Sequence, residues 1–355
     1  MSVQLSAGVE TPCPLIDETI VERNIAAAQA LFSSRGVALR PHIKTHKLVR
    51  FAQMQIAAGA VGITCQKTSE AEVFVDGGCA DVLITYNIIG AAKLERLRRL
   101  AEKARLCVVA DSDATVAGLS GAFASAGAPL RVLVECDTGG GRCGVQSPQD
   151  AARLASVIAR SPGLAFGGLM TYPGADGHQG VETFMRAAKP LCIDAAGSCE
   201  TITSGGTPSM KGFPERSVVT EYRPGTYIYN DRSLVSRGAC GVEDCAMALA
   251  ATVVSRPTRD RAIIDAGSKA LTSDLLGLVG YGMLRDYPEA TIAGLSEEHG
   301  NVDVSACARK PDIGEVVLVI PNHTCVVTNM FDDVVLHRSG MDMRKVRVDA
   351  RGRVF

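Results

Sequence analysis

Three groupings in this chain set chemistry-bearing side chains at suggestive spacings. The first is Arg40-Pro41-His42-Ile43-Lys44-Thr45-His46-Lys47. A lysine amine attacks a carbonyl to form an imine only when it is unprotonated, and the cationic neighbours Arg40, His42 and Lys47 favour the neutral amine at Lys44 electrostatically. A solvated lysine at a strand end is the ordinary alternative. The second grouping is a pair of small-residue turns, Ser204-Gly205-Gly206-Thr207 and Gly225-Thr226-Tyr227. Backbone N–H groups left uncovered by small side chains can cradle a phosphate, although either cluster alone also reads as a plain turn. The third is His323 and Cys325, two apart in a run that reads as a strand. Alternate strand residues share a face, so both could bind one ion; a core cysteine beside a surface histidine is the plainer reading.

These groups need elements to position them. Between residue 34 and 222 eight short β-branched runs alternate with helical patterns: Val37–Leu39, Val61–Cys65, Asp81–Tyr86, Arg105–Asp111, Leu130–Asp137, Ala165–Tyr172, Glu200–Ser204 and Val218–Tyr222. Eight βα units over about 200 residues match a (β/α)8 TIM-type barrel, with a doubly wound sheet as the second choice. Barrel enzymes carry their chemistry at the carboxyl ends of the strands, and polar residues stand just there. Lys44 follows the first run, Gln66 and Lys67 the second, Tyr86 and Asn87 the third. Asp137 and Gly139-Gly140-Gly141-Arg142 follow the fifth, Tyr172 ends the sixth, and Arg223 leads into the loop after the eighth. The two small-residue turns follow the last two strands, where barrels commonly hold phosphate.

After about residue 235 the runs Ala246–Val254, Arg261–Asp265, Val316–Ile320, Cys325–Thr328 and Val334–Leu336 come without long helices. They predict a mostly β second domain over 236–355, joined by residues 1–15, beside a barrel over 16–235.

Composition narrows the partners. Hydrophobic residues make up 46% and charged residues 21% of 355, with a formal net charge of −1. That balance suits a globular protein and gives no electrostatic footprint for nucleic acid or an anionic membrane. No segment is apolar enough for a membrane span. The twelve cysteines are scattered, without a preceding signal peptide, which points to a reducing cytoplasm rather than a disulfide framework. A small molecule is the expected partner.

With these motifs in place, the chain resembles the fold type III pyridoxal-phosphate enzymes, and within them the D-threonine aldolase and D-serine dehydratase family. The resemblance runs through Arg40 to Lys47, Cys65-Gln66-Lys67-Thr68-Ser69-Glu70-Ala71-Glu72, Gly141-Arg142-Cys143-Gly144, Arg223 to Tyr227, Asp265-Ala266-Gly267, Glu298-His299-Gly300 and Pro321-Asn322-His323-Thr324-Cys325. It implies that Lys44 is the Schiff-base lysine, that Arg142 approaches the cofactor's phenolic oxygen, that Tyr172 lies against the ring and that Arg223 stands near the pyridine nitrogen. It also implies a divalent metal at His323 and Cys325. The soft thiolate favours zinc, with manganese or magnesium as alternatives. His178 matches a histidine with which the aldolases assist deprotonation of a substrate hydroxyl; a plain loop histidine is the alternative.

The implied reaction is cleavage of a D-3-hydroxy amino acid to glycine and an aldehyde, with loss of water and ammonia to give a 2-oxo acid as the alternative. A racemase would need a second acid–base group, for which Tyr281 is the one candidate, and a non-catalytic cofactor carrier would not need a second domain. The resemblance further implies a homodimer, and Glu298 and His299 beside the metal, with exposed loop residues as the alternative for that pair. Asp265 and Lys269 receive no role.

Overall fold

The computed structural model describes residues 5–6, 8–174 and 177–355. Residues 1–4 and 7, part of the amino-terminal segment expected with the β domain, lie outside the described residues. Two compact units emerge: a barrel unit of Ala27–Lys44, Leu48–Gly225 and Arg353–Phe355, and a β unit formed by the chain through Ala26, Thr45–Lys47 and Thr226–Gly352.

In the barrel unit the eight strands are β1 (Ala38–Leu39), β2 (Ile63–Cys65), β3 (Asp81–Asn87), β4 (Arg105–Ala110), β5 (Leu130–Glu135), β6 (Leu164–Met170), β7 (Thr201–Ser204) and β8 (Glu221–Tyr222). All are parallel, in the order β1-β8-β7-β6-β5-β4-β3-β2. A parallel bridge from His42 to Thr64, with the Thr64 N–H donating to the Pro41 carbonyl at 2.7 Å, closes the ring between β1 and β2. Each strand predicted from pattern is present, so the fold is the barrel rather than the open sheet.

The connecting helices follow local rules. Helix Pro148–Arg160 opens with Ser147, whose Oγ accepts from the Asp150 N–H at 3.1 Å, and with proline in its first turn, where no N–H is needed. Its buried Ala151, Leu154, Ala155 and Ile158 fall at three- and four-residue intervals, one apolar stripe against the sheet. Truncating Leu154 to alanine removes the centre of that stripe, at a cost of about 2–5 kcal/mol. Leu83, Val109, Leu133 and Met170 from β3 to β6 form one buried cluster on the sheet.

The β unit is a sheet of nine strands among the described residues. Its longest strand, Met247–Thr258, pairs antiparallel with Cys13–Asp17, Arg261–Ile264 and Val316–Ile320. Leu15, Ala248, Ala250, Leu318 and Val335 form a buried cluster on it.

One expectation fails here. Residues 325–328 are not a strand but part of helix Thr324–Met330. A run of four apolar and β-branched residues carries no periodicity that separates strand from helix. The decision is tertiary: the buried Asp231 carboxylate accepts from the Thr324 N–H at 3.4 Å, at the positive end of the helix.

Among the described residues the cysteines are not joined in disulfides. Among the described residues no helix is long and apolar enough to cross a membrane.

Candidate active site

In the barrel unit the strand ends bring most of the expected residues to one mouth. Lys44 lies in a single 3-10 turn, Ile43–Thr45, just past β1. Its backbone N–H donates to His42 Nδ1 at 3.4 Å, and His42 Nε2 stands 3.1 Å from Gln66 Oε1. Two of the three neighbouring cations do not act on Lys44 as the sequence suggested. Arg40 is buried in ion pairs with Glu221 and Asp81, both at 2.7 Å, which cancel its charge. His42 accepts a hydrogen bond from the Lys44 amide and so has an unprotonated Nδ1. Lys47 donates to the Ala350 carbonyl at 3.3 Å within the β unit.

The turn after β7 fits a phosphate. Ser204 is buried, and its Oγ has no hydrogen-bond partner among the described residues, a costly arrangement unless a ligand supplies one. Gly205 adopts φ +140, and a Cβ there would lie 2.6 Å from the Arg223 nitrogen, so only glycine fits. The Tyr222 hydroxyl anchors the turn by donating to the Gly206 carbonyl at 2.9 Å. A Cβ on Gly206 would reach to 3.5 Å from the Tyr172 ring, so glycine leaves open the space between them. Thr207 is buried in the following 3-10 turn and Gly225 half-buried after β8.

Arg223, buried, donates from Nε to Thr203 Oγ1 at 2.9 Å and from an Nη to the Thr171 carbonyl at 2.5 Å. Burial pulls its guanidinium down to about 10, partly opposed by Glu221 and Glu135. Tyr172 is 45% exposed, with the Arg142 guanidinium carbon 5.1 Å from its ring centre. The loop that carries Arg142 is shaped by Asp137, whose Oδ1 accepts from the N–H groups of Gly139, Gly140 and Gly141 at 2.8–3.1 Å.

Sequence reading missed Glu135, which ends β5. Burial pushes its carboxyl up to about 7, helped by Asp111 and opposed by Arg142 and Arg223. Asn87 Nδ2 donates to it at 3.3 Å, and Asn87 Oδ1 accepts from the Asp111 N–H at 3.2 Å. Its signal was available, as an acid closing an otherwise apolar strand.

His178 begins helix His178–Ala196. Its Nε2 donates to the Ser209 carbonyl at 2.7 Å, and its ring packs edge-on against Phe213. A carbonyl only accepts, so the Nε2 proton is fixed and Nδ1 is the nitrogen able to take up another. Residues 175–176, just before it, lie outside the described residues.

The β unit holds the other expected group. His323 stands immediately before helix Thr324–Met330, with its ring in hydrogen-bonding reach of Cys325 Sγ. Cys325 Sγ also lies 3.1 Å from Thr45 Oγ1 and 3.8 Å from Thr226 Oγ1. The pair therefore converges at a helix start rather than along a strand face. Its orienting group went unseen in the sequence. Asp231, with no exposed surface, accepts from His323 Nδ1 at 2.9 Å, and its other oxygen accepts from Ser233 Oγ at 2.7 Å. A carboxylate on one imidazole nitrogen fixes the tautomer and turns the other nitrogen toward a metal. Burial works to lower the His323 pKa, but the Cys325 sulfur and the Asp231 carboxylate outweigh it and hold it near about 10. A nitrogen and a sulfur donor with that carboxylate behind them fit a zinc-type ion. Asp231 caps a helix of five residues, too short to announce itself.

The remaining residues have structural places. Tyr227 is buried, and Tyr281 is tied by its backbone to Ile292. Glu298 and His299 sit at an exposed hairpin turn, where Glu298 pairs with Lys269 at 2.7 Å. Asp265 accepts from the Thr252 N–H at 2.7 Å and Thr11 Oγ1 at 2.6 Å.

Comparison with known proteins agrees with this layout. The family described as alanine racemase, N-terminal domain, matches residues 16–233, and the putative serine dehydratase domain matches residues 246–337. A D-threonine aldolase from Arthrobacter sp is 36% identical over 98% of this chain and 94% of its own. The solved D-threonine aldolase from Filomicrobium marinum superimposes with a TM-score of 0.88 at 34% identity, over 98% of this chain and 97% of that one. The D-threo-3-hydroxyaspartate dehydratase of Delftia sp. (strain HT23) is 30% identical over 91% of this chain and 93% of its own. A solved form of the dehydratase of that name, a cysteine-to-alanine mutant in the metal-free form, gives a TM-score of 0.83 at 28% identity, over 96% of this chain and 97% of that one.

Proposed function

This chain belongs to the D-threonine aldolase and D-serine dehydratase family of pyridoxal-phosphate lyases built on an alanine-racemase-like barrel, and from that premise we propose that it cleaves D-3-hydroxy amino acids to glycine and an aldehyde. The reading is supported by the presence of a barrel-mouth lysine and phosphate turn in one unit and of a carboxylate-oriented His–Cys pair in the other, in a chain 36% identical to a D-threonine aldolase.

When bound, pyridoxal phosphate supplies an electron sink for the pair left on Cα, and a divalent metal supplies a Lewis acid for the substrate's β-hydroxyl. Lys44 contributes the amine that anchors the cofactor. Ser204 and the backbone N–H groups of Gly205, Gly206, Thr207 and Gly225, with Thr226 and Tyr227, take the phosphate. Tyr172 offers a ring face, Arg142 a cation for the phenolic oxygen, and Arg223 a guanidinium, held by Thr171 and Thr203, for the pyridine nitrogen. A cation there leaves the nitrogen unprotonated, which moderates the sink. His323 and Cys325 ligate the metal, zinc by donor softness with manganese or magnesium as alternatives. Asp231 holds the His323 tautomer, and His178 accepts the hydroxyl proton at Nδ1.

Dehydration to a 2-oxo acid and ammonia is the second reading. It is favoured by Cys325, since the related dehydratase has been solved metal-free as a cysteine mutant. A small D-amino acid as partner and a homodimer as assembly rest on the family resemblance.

Incubation with pyridoxal phosphate, Zn²⁺ or Mn²⁺, and D-threonine tests the choice. Glycine and acetaldehyde in the mass spectrum support the aldolase, whereas 2-oxobutyrate with ammonia replaces it by the dehydratase.

A further inference from the structure

The contacts around His42 specify its proton. The ring is buried, 5% exposed, and its backbone is pinned by the bridge to Thr64 and by an N–H donated to the Pro224 carbonyl at 2.9 Å. A backbone amide only donates, so the contact from the Lys44 N–H makes Nδ1 an acceptor. On the other side, Gln66 Nε2 stands 3.0 Å from the Thr85 carbonyl, which only accepts. The Gln66 amide is thereby oriented with its NH2 toward Thr85 and its oxygen toward His42, so His42 Nε2 carries the proton. Gln66 is itself fixed: its backbone N–H donates at 2.8 Å to the buried Glu70, in the first turn of helix Thr68–Asp76.

The result is a continuous line from Glu70 through Gln66 and His42 to the Lys44 backbone. A protonated His42 would set an N–H against the Lys44 N–H, two donors facing each other. The first N–H groups of a helical turn have no partner within the turn, and His42 supplies one for Lys44.

We propose that His42 is a positioning residue: locked by Gln66 as the neutral Nε2–H tautomer, it caps the 3-10 turn and so fixes the direction from which the Lys44 amine leaves the backbone. The proposal rests on reading Lys44 as the cofactor lysine, but its first test does not. In cofactor-free protein labelled with 15N-histidine, with the His42 signals identified by their loss in His42→Asn, long-range 1H–15N correlation should show a protonated Nε2 and a bare Nδ1 at neutral pH. An imidazolium or an Nδ1–H tautomer overturns the proposal, whatever Lys44 does.

The second test separates capping from bulk. Asparagine places its side-chain oxygen where His42 holds Nδ1 and can cap the same N–H, whereas glutamine extends past it and alanine offers nothing. Pyridoxal phosphate titrated into each variant should bind about tenfold more weakly to His42→Ala and His42→Gln. His42→Asn should stay within about threefold of the parent, with a cofactor-free melting temperature that matches the parent's. If asparagine binds as weakly as alanine while melting like the parent, the capping role is wrong. If no variant folds, the tautomer measurement on the parent protein still decides. A parent protein that shows the expected tautomer but binds no cofactor contradicts the reading of Lys44, and with it the positioning role.

Discussion

The barrel mouth and the His–Cys pair reach the same end, a rigid set of donors, by opposite routes. At the mouth, each functional side chain hangs from its own strand end, and local contacts finish the job. Asp137 gathers three glycine N–H groups within four residues, and His42 caps a turn two residues on. In the β unit His323 and Cys325 are two residues apart in sequence, but their orienting carboxylate, Asp231, comes from 92 residues away. A repeating topology places residues by count; a single irregular site depends on one distant contact. The mouth should therefore lose function piecewise, and the metal pair through one substitution.

The largest effect belongs to the residue without a substitute. Lys44→Ala should lower turnover at least ~10³-fold, measured as product formed per enzyme, with the melting temperature of the cofactor-free protein unchanged. Asp231→Asn comes next. It keeps the volume but loses the charge that fixes His323, so metal affinity by calorimetry should fall about 10–100-fold. An unchanged affinity would mean that the pair orients itself and that the contrast between the two regions is false. At the mouth, Ser204→Ala removes one of several phosphate donors, and cofactor affinity should drop only about tenfold.

The smallest effect is one of pH. Burial raises the folded-state carboxyl of Glu135 to about 7, above an ordinary value of about 4.3. Between these values the folded protein holds a proton that the unfolded chain has lost. The contribution of Glu135 is thus most favourable below about pH 4.3 and is lost as pH rises toward 7, by on the order of 3 kcal/mol. Glu135→Gln should raise the melting temperature of the cofactor-free protein at pH 8 more than at pH 5. Equal shifts at both would contradict the raised value.

The same contrast explains what could be read from the residues alone. All eight barrel strands, and with them Lys44, Arg142, Tyr172, Ser204 and Arg223 at their ends, followed from periodicity, because β-branched runs at regular intervals admit few other folds. Glu135 was passed over although an acid closing an otherwise apolar strand was visible; what the sequence did not carry is the effect of Asp111, Arg142 and Arg223 on its carboxyl. The route from Lys44 to Gln66 was hidden because a histidine two residues from a lysine suggests charge, while the geometry makes it a neutral acceptor. Residues 325–328 were misread because so short a run takes its structure from Asp231, which no local pattern connects to it. The closeness of the pair survived the error, since both a strand and the start of a helix bring His323 and Cys325 together.

The central claim is that Lys44, of all the lysines in the chain, binds the cofactor. Protein incubated with pyridoxal phosphate, reduced with borohydride and digested should carry the pyridoxyl group on the peptide containing Lys44. A label on Lys67 or another lysine, or on none, would contradict the account.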